Sequence, residues 1–278
     1  ALAWLLSTHP FHRVLLPSFL CDSVANTFID ANIQLCFYQI SRQFEIDPDE
    51  IKAILESNPG IDCFYLMHYF GRLQAQDVLK QLQRICRERD IRIVEDAVHS
   101  FFTKALTIGD YGLTSLRKWA PIPGGGLLYA KKAFPCEISE QEESSYFEEL
   151  SLSAYLLKDL HLHDFTKLRT TYMNLFAASE YELDYYDRGY AVSALSQRLI
   201  QSLDNRKMAA ARKANARELA YLIHKKDIRV LFQNYEGDFV PFFFPIFVPN
   251  REPFMQGLRK AGVAPDVHWR FLSTRAPE

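Results

Sequence analysis

The chain has 278 residues, and its 32 Lys and Arg residues against 34 Asp and Glu residues give a formal charge of −2. This balance provides no bulk attraction to nucleic acid or anionic lipid, and a composition of 48% hydrophobic and 24% charged residues argues against a disordered or fibrous chain. The length suggests about two domains, or one large domain with an appendage. No apolar run of about 18 residues occurs, so we expect no transmembrane helix.

The first 130 residues alternate short apolar runs with helix-length amphipathic segments. This alternation predicts βαβ units and therefore an α/β fold, a mostly parallel sheet flanked by helices. One helix is predicted to begin at Pro48, because Asp47 is a favourable N-cap and acidic residues follow in the first turn. A second helix is predicted over residues 75–89. Strands are predicted at residues 14–17, 33–38, 63–68, 91–95, 112–116 and 126–130.

The remainder of the chain has a different pattern. Residues 137–150 are acidic and polar, and residues 151–225 are predicted to be mainly helical, most clearly over 191–203 and 208–223. Two strand-like runs follow at 228–232 and 239–248, and a helix over 251–261 is predicted to end at Gly262. We therefore expect a large α/β domain over residues 1–150, a helical connecting region over 151–225 and a small α+β domain over 226–278.

The cysteines do not form a metal-binding or disulfide pattern. They are odd in number, widely separated and without a Cys-x-x-Cys pair, so we expect no metal site. Free cysteines of this kind usually act as small buried hydrophobic residues, and they suit a reducing cytoplasm. The five are Cys21, Cys36, Cys63, Cys86 and Cys136.

Polar residues follow the predicted strands at the edge where an open α/β sheet binds ligands. The segment Glu95-Asp96-Ala97-Val98-His99-Ser100 follows the fourth strand, and His68 follows the third. Taken alone, an Asp at such a place is at least as often the cap of the next turn. A histidine there is more often structural than functional.

The segment around Lys118 combines several reactive or permissive residue types. Ser115 and Lys118 lie at a predicted strand end, before a Pro-x-Pro sequence and the glycine triplet 124–126, which lets the backbone approach a ligand closely. Leu, Trp and Pro flank Lys118 and predict a partly desolvated amine, a better nucleophile for a carbonyl, and the adjacent Arg117 acts in the same direction. From these residues alone, a solvated loop lysine is the alternative.

The motifs follow one another in the order His68-Tyr69-Phe70-Gly71, Glu95-Asp96-Ala97-Val98-His99-Ser100, Gly109-Asp110-Tyr111-Gly112, Ser115, Lys118 and Gly124-Gly125-Gly126. This succession resembles the DegT/StrS-type aminotransferases, fold type I pyridoxal-phosphate (PLP) enzymes that mostly act on nucleotide-linked keto-sugars. The segment 193–206 resembles that family's helix after the active site, and residues 244–262 resemble its small domain.

The resemblance implies a role for each residue. Asp96 would pair with the protonated pyridine nitrogen of PLP, and His99 would approach the phenolic oxygen or the ring. Ser115 would donate to the phosphate. Lys118 would hold the cofactor as an internal aldimine and would shuttle the proton between the α-carbon and the cofactor. The family also implies a homodimer that transfers an amino group to a sugar nucleotide or similar ketone, as in polysaccharide biosynthesis, with glutamate as donor.

Three features depart from the family pattern. Lys118 is three residues after Ser115, whereas the family has about five, and Cys21 stands where the family has an aromatic residue that stacks on the cofactor. Phe19 or His99 would then supply the stacking. The helix N-terminus that holds the phosphate is expected before Ala1, so we expect the N-terminal part of the large domain to be missing and the small domain to be incomplete.

These departures suggest an alternative function. The chain would then be a catalytically degenerate PLP-transferase-fold protein with a binding or regulatory role. A PLP-dependent sugar dehydratase is a third possibility, but Lys118 argues against it, because such enzymes usually have His at that position.

Overall fold

A computed structural model describes residues 1–132, 145–163, 167–185, 191–224, 228–232, 235, 237 and 239–269. Cys136 and most of the acidic segment predicted from residue 137 lie outside the described residues.

The six strands of the main sheet are β1 (Arg13–Pro17), β2 (Gln34–Tyr38), β3 (Cys63–Met67), β4 (Arg92–Asp96), β5 (Tyr111–Ser115) and β6 (Gly126–Ala130). Their order in the sheet is β2-β1-β3-β4-β5-β6, and all neighbours are parallel except β6, which is antiparallel to β5. The predicted mostly parallel α/β sheet is confirmed, and each predicted strand boundary falls within one residue of the observed one.

Side chains of successive strand residues point to opposite faces of the sheet, so both faces are hydrophobic and form two clusters. Helices cover both faces. Val14, Cys63 and Val94 belong to one cluster, whereas Leu15 and Phe64 belong to the other. The helices of this part are α1 (Leu2–Thr8), α2 (Asp22–Asp30), α3 (Pro48–Ser57) and α4 (Gln76–Glu88).

The predicted start of α3 is confirmed. The side chain of Asp47 accepts a hydrogen bond from the backbone N–H of Asp49 at 2.9 Å, and Pro48 is the first helical residue. An N-cap of this kind satisfies one of the free N–H groups at the start of a helix and contributes about 1 kcal/mol.

Four helices follow the main sheet: α5 (Ser145–Leu162), α6 (Arg169–Tyr185), α7 (Ala194–Ser202) and α8 (Asn205–His224). The first two pack against each other in antiparallel orientation. Tyr155 contacts Phe176 with ring centroids 5.0 Å apart, and the hydroxyls of Ser151 and Ser179 are 2.5 Å apart. The mainly helical character predicted for this part of the chain agrees with these elements.

The C-terminal part contains β7 (Arg229–Val230), β8 (Ile246–Phe247) and α9 (Arg251–Lys260). The helix ends before Gly262, whose φ of +83° matches the predicted terminator. The two strands predicted over 228–232 and 239–248 are wrong in length. Only two residues of each strand form ladder pairs: Arg229 pairs with Phe247, and Val230 pairs with Ile246.

The physical reason for the short strands lies in the prolines and aromatic side chains of the second run. Pro241 and Pro245 have no N–H to donate to a ladder, which confines proline to strand edges. Val240 and Phe242 instead pack against Trp119 in a separate buried cluster. The division into domains at residues 150 and 225 remains a prediction.

Candidate active site

The carboxyl ends of the parallel strands bring the predicted site residues to one edge of the sheet. Asp96 is the last residue of β4 and pairs with Met67, the last residue of β3. Ser115 ends β5, and because β6 runs antiparallel, Gly126 pairs with Ser115 at the same edge. Lys118 ends a short 3₁₀ helix, Leu116–Lys118, directly after β5.

Asp96 is a buried carboxylate held by two donors. Its side chain accepts a hydrogen bond from the Tyr65 hydroxyl at Oδ2 and from the Val98 backbone N–H at Oδ1, each at 2.8 Å. Burial raises the pKa of Asp96, although both hydrogen bonds and the charge of Lys118 act in the opposite direction. A carboxylate oxygen can accept more than one hydrogen bond, so each Asp96 oxygen can accept a further donor.

Lys118 lies in the same region as Asp96. Asp96 pairs with Leu113 of β5, the strand that leads into the 3₁₀ helix of Lys118. The charge of Lys118 opposes the effect of burial on the pKa of Asp96 and adds to the effect of burial on those of His99 and His268. The expected partial desolvation of Lys118 is wrong, since the residue is exposed and the adjacent Trp119 is buried instead. Arg117 points to α6, where its guanidinium donates to Glu180.

His99 is buried among aromatic rings. Its imidazole stacks with Phe242 at a centroid distance of 4.4 Å and with Trp269 at 5.4 Å. Burial, followed by the charges of His268 and Lys118, lowers the pKa of His99 well below its usual value. The ring is therefore uncharged near neutral pH.

A left-handed turn holds the backbone that faces His99. Phe70 has φ +55° and Gly71 has φ +99°, and the Phe70 N–H donates to Nδ1 of His99 at 3.4 Å. Glycine is required at position 71, because a Cβ there would lie 2.1 Å from the Val240 carbonyl oxygen. A bulky residue at positive φ is an uncommon and strained conformation that recurs at functional sites.

Ser115 and Cys21 occupy the margins of the site. Ser115 is half-buried at the end of β5, next to the 3₁₀ helix that carries Lys118. Cys21 is the N-cap of α2, partly exposed, with Sγ 3.1 Å from the Ser23 hydroxyl. Burial and the charge of Asp96 raise the pKa of Tyr65 well above its usual value, and Cys21 contributes in the same direction. The roles of Ser115 and Cys21 in cofactor binding remain predictions.

The motif analysis did not identify three side chains of the site. Tyr65 could have been found from strand alternation, because it faces the same side as Asp96 in the neighbouring strand. His268 and Trp269 come from the C-terminal segment, and no local pattern points to them. Trp269 also contacts Phe19, one of the two residues expected to supply stacking, with centroids 5.1 Å apart.

Glu95 adjoins Asp96 in sequence but has a different environment. Its Oε1 accepts from the Thr107 N–H at 2.7 Å and contacts His68 Nε2 at 3.1 Å; its Oε2 accepts from the N–H groups of Ile108 and Gly109 at 3.0 and 2.8 Å. Burial alone would raise the pKa of Glu95, but the hydrogen bond and charge of His68, the Gly109 N–H and Thr107 together lower it. Glu95 therefore anchors the loop before β5.

Other features of the described residues lie apart from this site. A surface depression of about 680 Å³ lies beside β2 and is separated from β4 by β1 and β3; its lining includes Leu35, Phe37 and Ile54. Within the described ranges, no group of three or more His, Cys, Asp or Glu side chains is arranged to hold a metal ion. None of the helices in that part of the chain has the length and apolar character needed to cross a membrane.

The overall fold matches that of known aminotransferases. A DegT/DnrJ/EryC1/StrS aminotransferase from Brucella abortus superposes with a TM-score of 0.64 at 14% identity, covering 99% of this chain and 70% of that protein. A Streptococcus pneumoniae protein provisionally named a sugar aminotransferase, in its PLP form, gives 0.63 at 18%, with coverages of 98% and 71%. The sugar aminotransferase CalS13 from Micromonospora echinospora gives 0.56 at 17%, with coverages of 95% and 69%. The chain therefore has the fold of the PLP-dependent transferases.

The N-terminal part of the chain also matches a sequence model of one protein family. Residues 1–116 match the model of the DegT/DnrJ/EryC1/StrS aminotransferase family. The resemblance that the motifs indicated is thus confirmed for the part of the chain that contains Asp96, His99 and Ser115. Comparison with curated protein sequences gave no match.

Proposed function

We propose that the chain is a PLP-dependent aminotransferase that transfers an amino group to a keto-sugar nucleotide or similar ketone, with Lys118 as the cofactor-binding lysine. The family match over residues 1–116 and the fold shared with sugar aminotransferases support this activity. The observation that carries the proposal is the buried Asp96 carboxylate at the end of β4, beside strand β5, which leads directly into the segment of Lys118.

The residues present fit PLP. Asp96 retains acceptor capacity beyond the hydrogen bonds from Tyr65 and Val98, as pairing with a pyridinium N–H requires. Ser115 supplies a hydroxyl at the neighbouring strand end for the phosphate. When bound, PLP supplies an aldehyde that combines with amines and a ring that withdraws electrons from the adjacent carbon.

The side chains of the site have separate roles in cofactor binding and proton transfer. The Asp96 carboxylate holds the proton on the ring nitrogen and orients the ring, while Tyr65 and Val98 fix the Asp96 side chain. The Lys118 amine would bind the cofactor and, as a free amine, would move a proton to or from the reacting carbon. His99, Phe242 and Trp269 exclude water from the end of β4, which strengthens these electrostatic interactions.

Cofactor trapping tests this function. The full chain is incubated with PLP, the visible absorption band is recorded, and the adduct is reduced with borohydride and mapped by tryptic digestion. We expect the pyridoxyl group on Lys118 and loss of the band in Lys118→Ala. The matched control is Lys104→Ala, because Lys104 is also exposed and has no role in the proposed site. A pyridoxyl group on another lysine, or on none, contradicts the proposal.

We also propose a homodimer in the cytoplasm as the working form. Fold type I enzymes generally build their sites at dimer interfaces, which supports the dimer. The described cysteines Cys21, Cys36, Cys63 and Cys86 are free thiols, which suits a reducing compartment. Sedimentation at micromolar concentration tests the dimer directly.

A degenerate protein with a binding or regulatory role is the second candidate. The exposure of Lys118 and its position only three residues after Ser115 favour it. A folded protein that takes no PLP would support this candidate. Amino-group turnover that depends on Lys118 would exclude it.

A further inference from the structure

Trp119 connects the segment of Lys118 to the turn after β4 that holds Asp96. It follows Lys118 directly, and its indole N–H donates to the Val98 carbonyl oxygen at 2.7 Å. The Val98 N–H in turn donates to Asp96. A single buried ring therefore links the backbone that carries Lys118 to the turn that holds the Asp96 carboxylate.

Arg212 of α8 contacts both the side chain and the backbone of Trp119. Its guanidinium lies over the indole at 4.7 Å from the ring centroid, and its Nη2 donates to the Trp119 carbonyl oxygen at 3.1 Å. Its Nη1 donates to the carbonyl oxygen of Phe242, the residue that stacks on His99. Arg212 thus fixes both the backbone beside Lys118 and the backbone beside His99.

The chemistry of the guanidinium suits this arrangement. Its donors diverge in a rigid plane, so one side chain can bind two carbonyl groups and stack on an aromatic face at once. Burial lowers the pKa of Arg212, and among the described residues its hydrogen bonds go to carbonyl groups. A lysine ammonium has no planar face to stack and cannot reproduce this set of contacts.

We propose that Arg212 is a positioning residue that holds Lys118 at its working distance from Asp96 through Trp119. This inference rests on the proposed function, because the distance matters only if both side chains act on one cofactor. Arg212 itself touches none of the reacting atoms. It acts on the reaction through the indole and the two carbonyl groups that it binds.

The experiment compares Arg212→Met and Arg212→Lys with a control, Arg206→Met, on the full chain. Arg206 is an exposed residue of the same helix, outside the proposed positioning contacts. Hydrogen exchange without cofactor is measured first, over peptides covering 97–103, 116–125 and 63–67. The rate of visible-band formation with added PLP, and the pH at which that band titrates, are measured next.

We expect faster exchange in Arg212→Met over 97–103 and 116–125 but not over 63–67, with band formation slowed at least about tenfold and its titration pH shifted. Arg212→Lys should recover only part of the rate, and it replaces Arg212→Met if that variant fails to fold. Exchange and band titration equal to those of Arg206→Met overturn the inference. If the unmodified protein takes no PLP, the proposed function fails, and the exchange data alone decide whether Arg212 positions the lysine segment.

Discussion

Glu95 and Asp96 are neighbours at the end of β4, but they lie on opposite faces of the sheet and meet different numbers of donors. Three backbone N–H groups and His68 surround the Glu95 carboxylate. Asp96 accepts from Tyr65 and Val98. Burial is nearly complete for both, so exposure does not distinguish the two residues.

The difference shows that donor number separates a structural carboxylate from a candidate catalytic one. The contacts of Glu95 use the capacity of a carboxylate fully and lower its pKa despite burial. The two hydrogen bonds of Asp96 do not overcome burial, and its pKa is raised. Asp96 therefore retains the ability to bind a further donor, whereas Glu95 does not.

The largest effect on stability is expected for Glu95→Gln. The amide places N–H groups against backbone N–H donors and removes the charge that His68 contacts, so the free energy of unfolding should fall by about 3 kcal/mol. Urea denaturation at pH 7 measures the change. Glu45→Gln is the control, because Glu45 is exposed. Similar losses in the two variants would contradict the structural role of Glu95.

Asp96→Asn should have its main effect on activity. The amide oxygen can still accept from the Val98 N–H, and the amide NH2 can donate to the Tyr65 hydroxyl oxygen. The neutral amide cannot form a charge-assisted hydrogen bond to a pyridinium, so amino-group transfer should fall at least about 100-fold. The free energy of unfolding should change by less than about 1 kcal/mol. Single-turnover kinetics with PLP and an amino donor check the first value, and urea denaturation checks the second. Unchanged turnover would remove Asp96 from the mechanism.

The two carboxylates should also give opposite dependences of stability on pH. The folded pKa of Glu95 lies below its ordinary value of 4.5, so its contribution is complete above that pH and is lost as the pH falls through the folded value. The folded pKa of Asp96 lies above 3.8, so its ionisation costs stability as the pH rises through the folded value. Urea denaturation from pH 3 to 7 should show that the free energy of unfolding of Glu95→Gln falls less steeply as the pH is lowered. In Asp96→Asn, the loss of stability caused by ionisation of Asp96 as the pH rises should be absent.

The smallest expected effect is that of Tyr65→Phe. Loss of one hydrogen bond should reduce the free energy of unfolding by about 1 kcal/mol. Because the Tyr65 hydroxyl lowers the pKa of Asp96, its removal should raise that pKa further and move the acid limb of the activity profile to higher pH. A limb that stays in place, or moves to lower pH, would show that Tyr65 does not act on Asp96.

Much of the sheet could be predicted because its signals are local. Apolar runs bounded by turn residues gave the strands of the main sheet, and the Asp47-Pro48 pair gave the start of α3. The run at 239–248 has the same apolar character, but its prolines prevent a long ladder and Phe242 packs on His99 instead.

The candidate site was predictable only in part. Asp96, His99 and Lys118 follow strands in an order that resembles a known family, so the motifs identified them. Tyr65, Arg212 and Trp269 reach the site through tertiary contacts. Arg212, for example, donates a hydrogen bond to the carbonyl oxygen of Trp119, which lies 93 residues earlier in the sequence. No window of local sequence contains such a contact, which explains why these residues were missed.

The turn at Phe70 determines how His99 is protonated. Because the Phe70 N–H donates to Nδ1, the single proton of the neutral imidazole lies on Nε2. The ring therefore offers a hydrogen-bond donor without adding a positive charge to the site. A substitution that relaxes the left-handed backbone at Phe70 would free Nδ1 and allow the other tautomer, which would exchange donor for acceptor at Nε2.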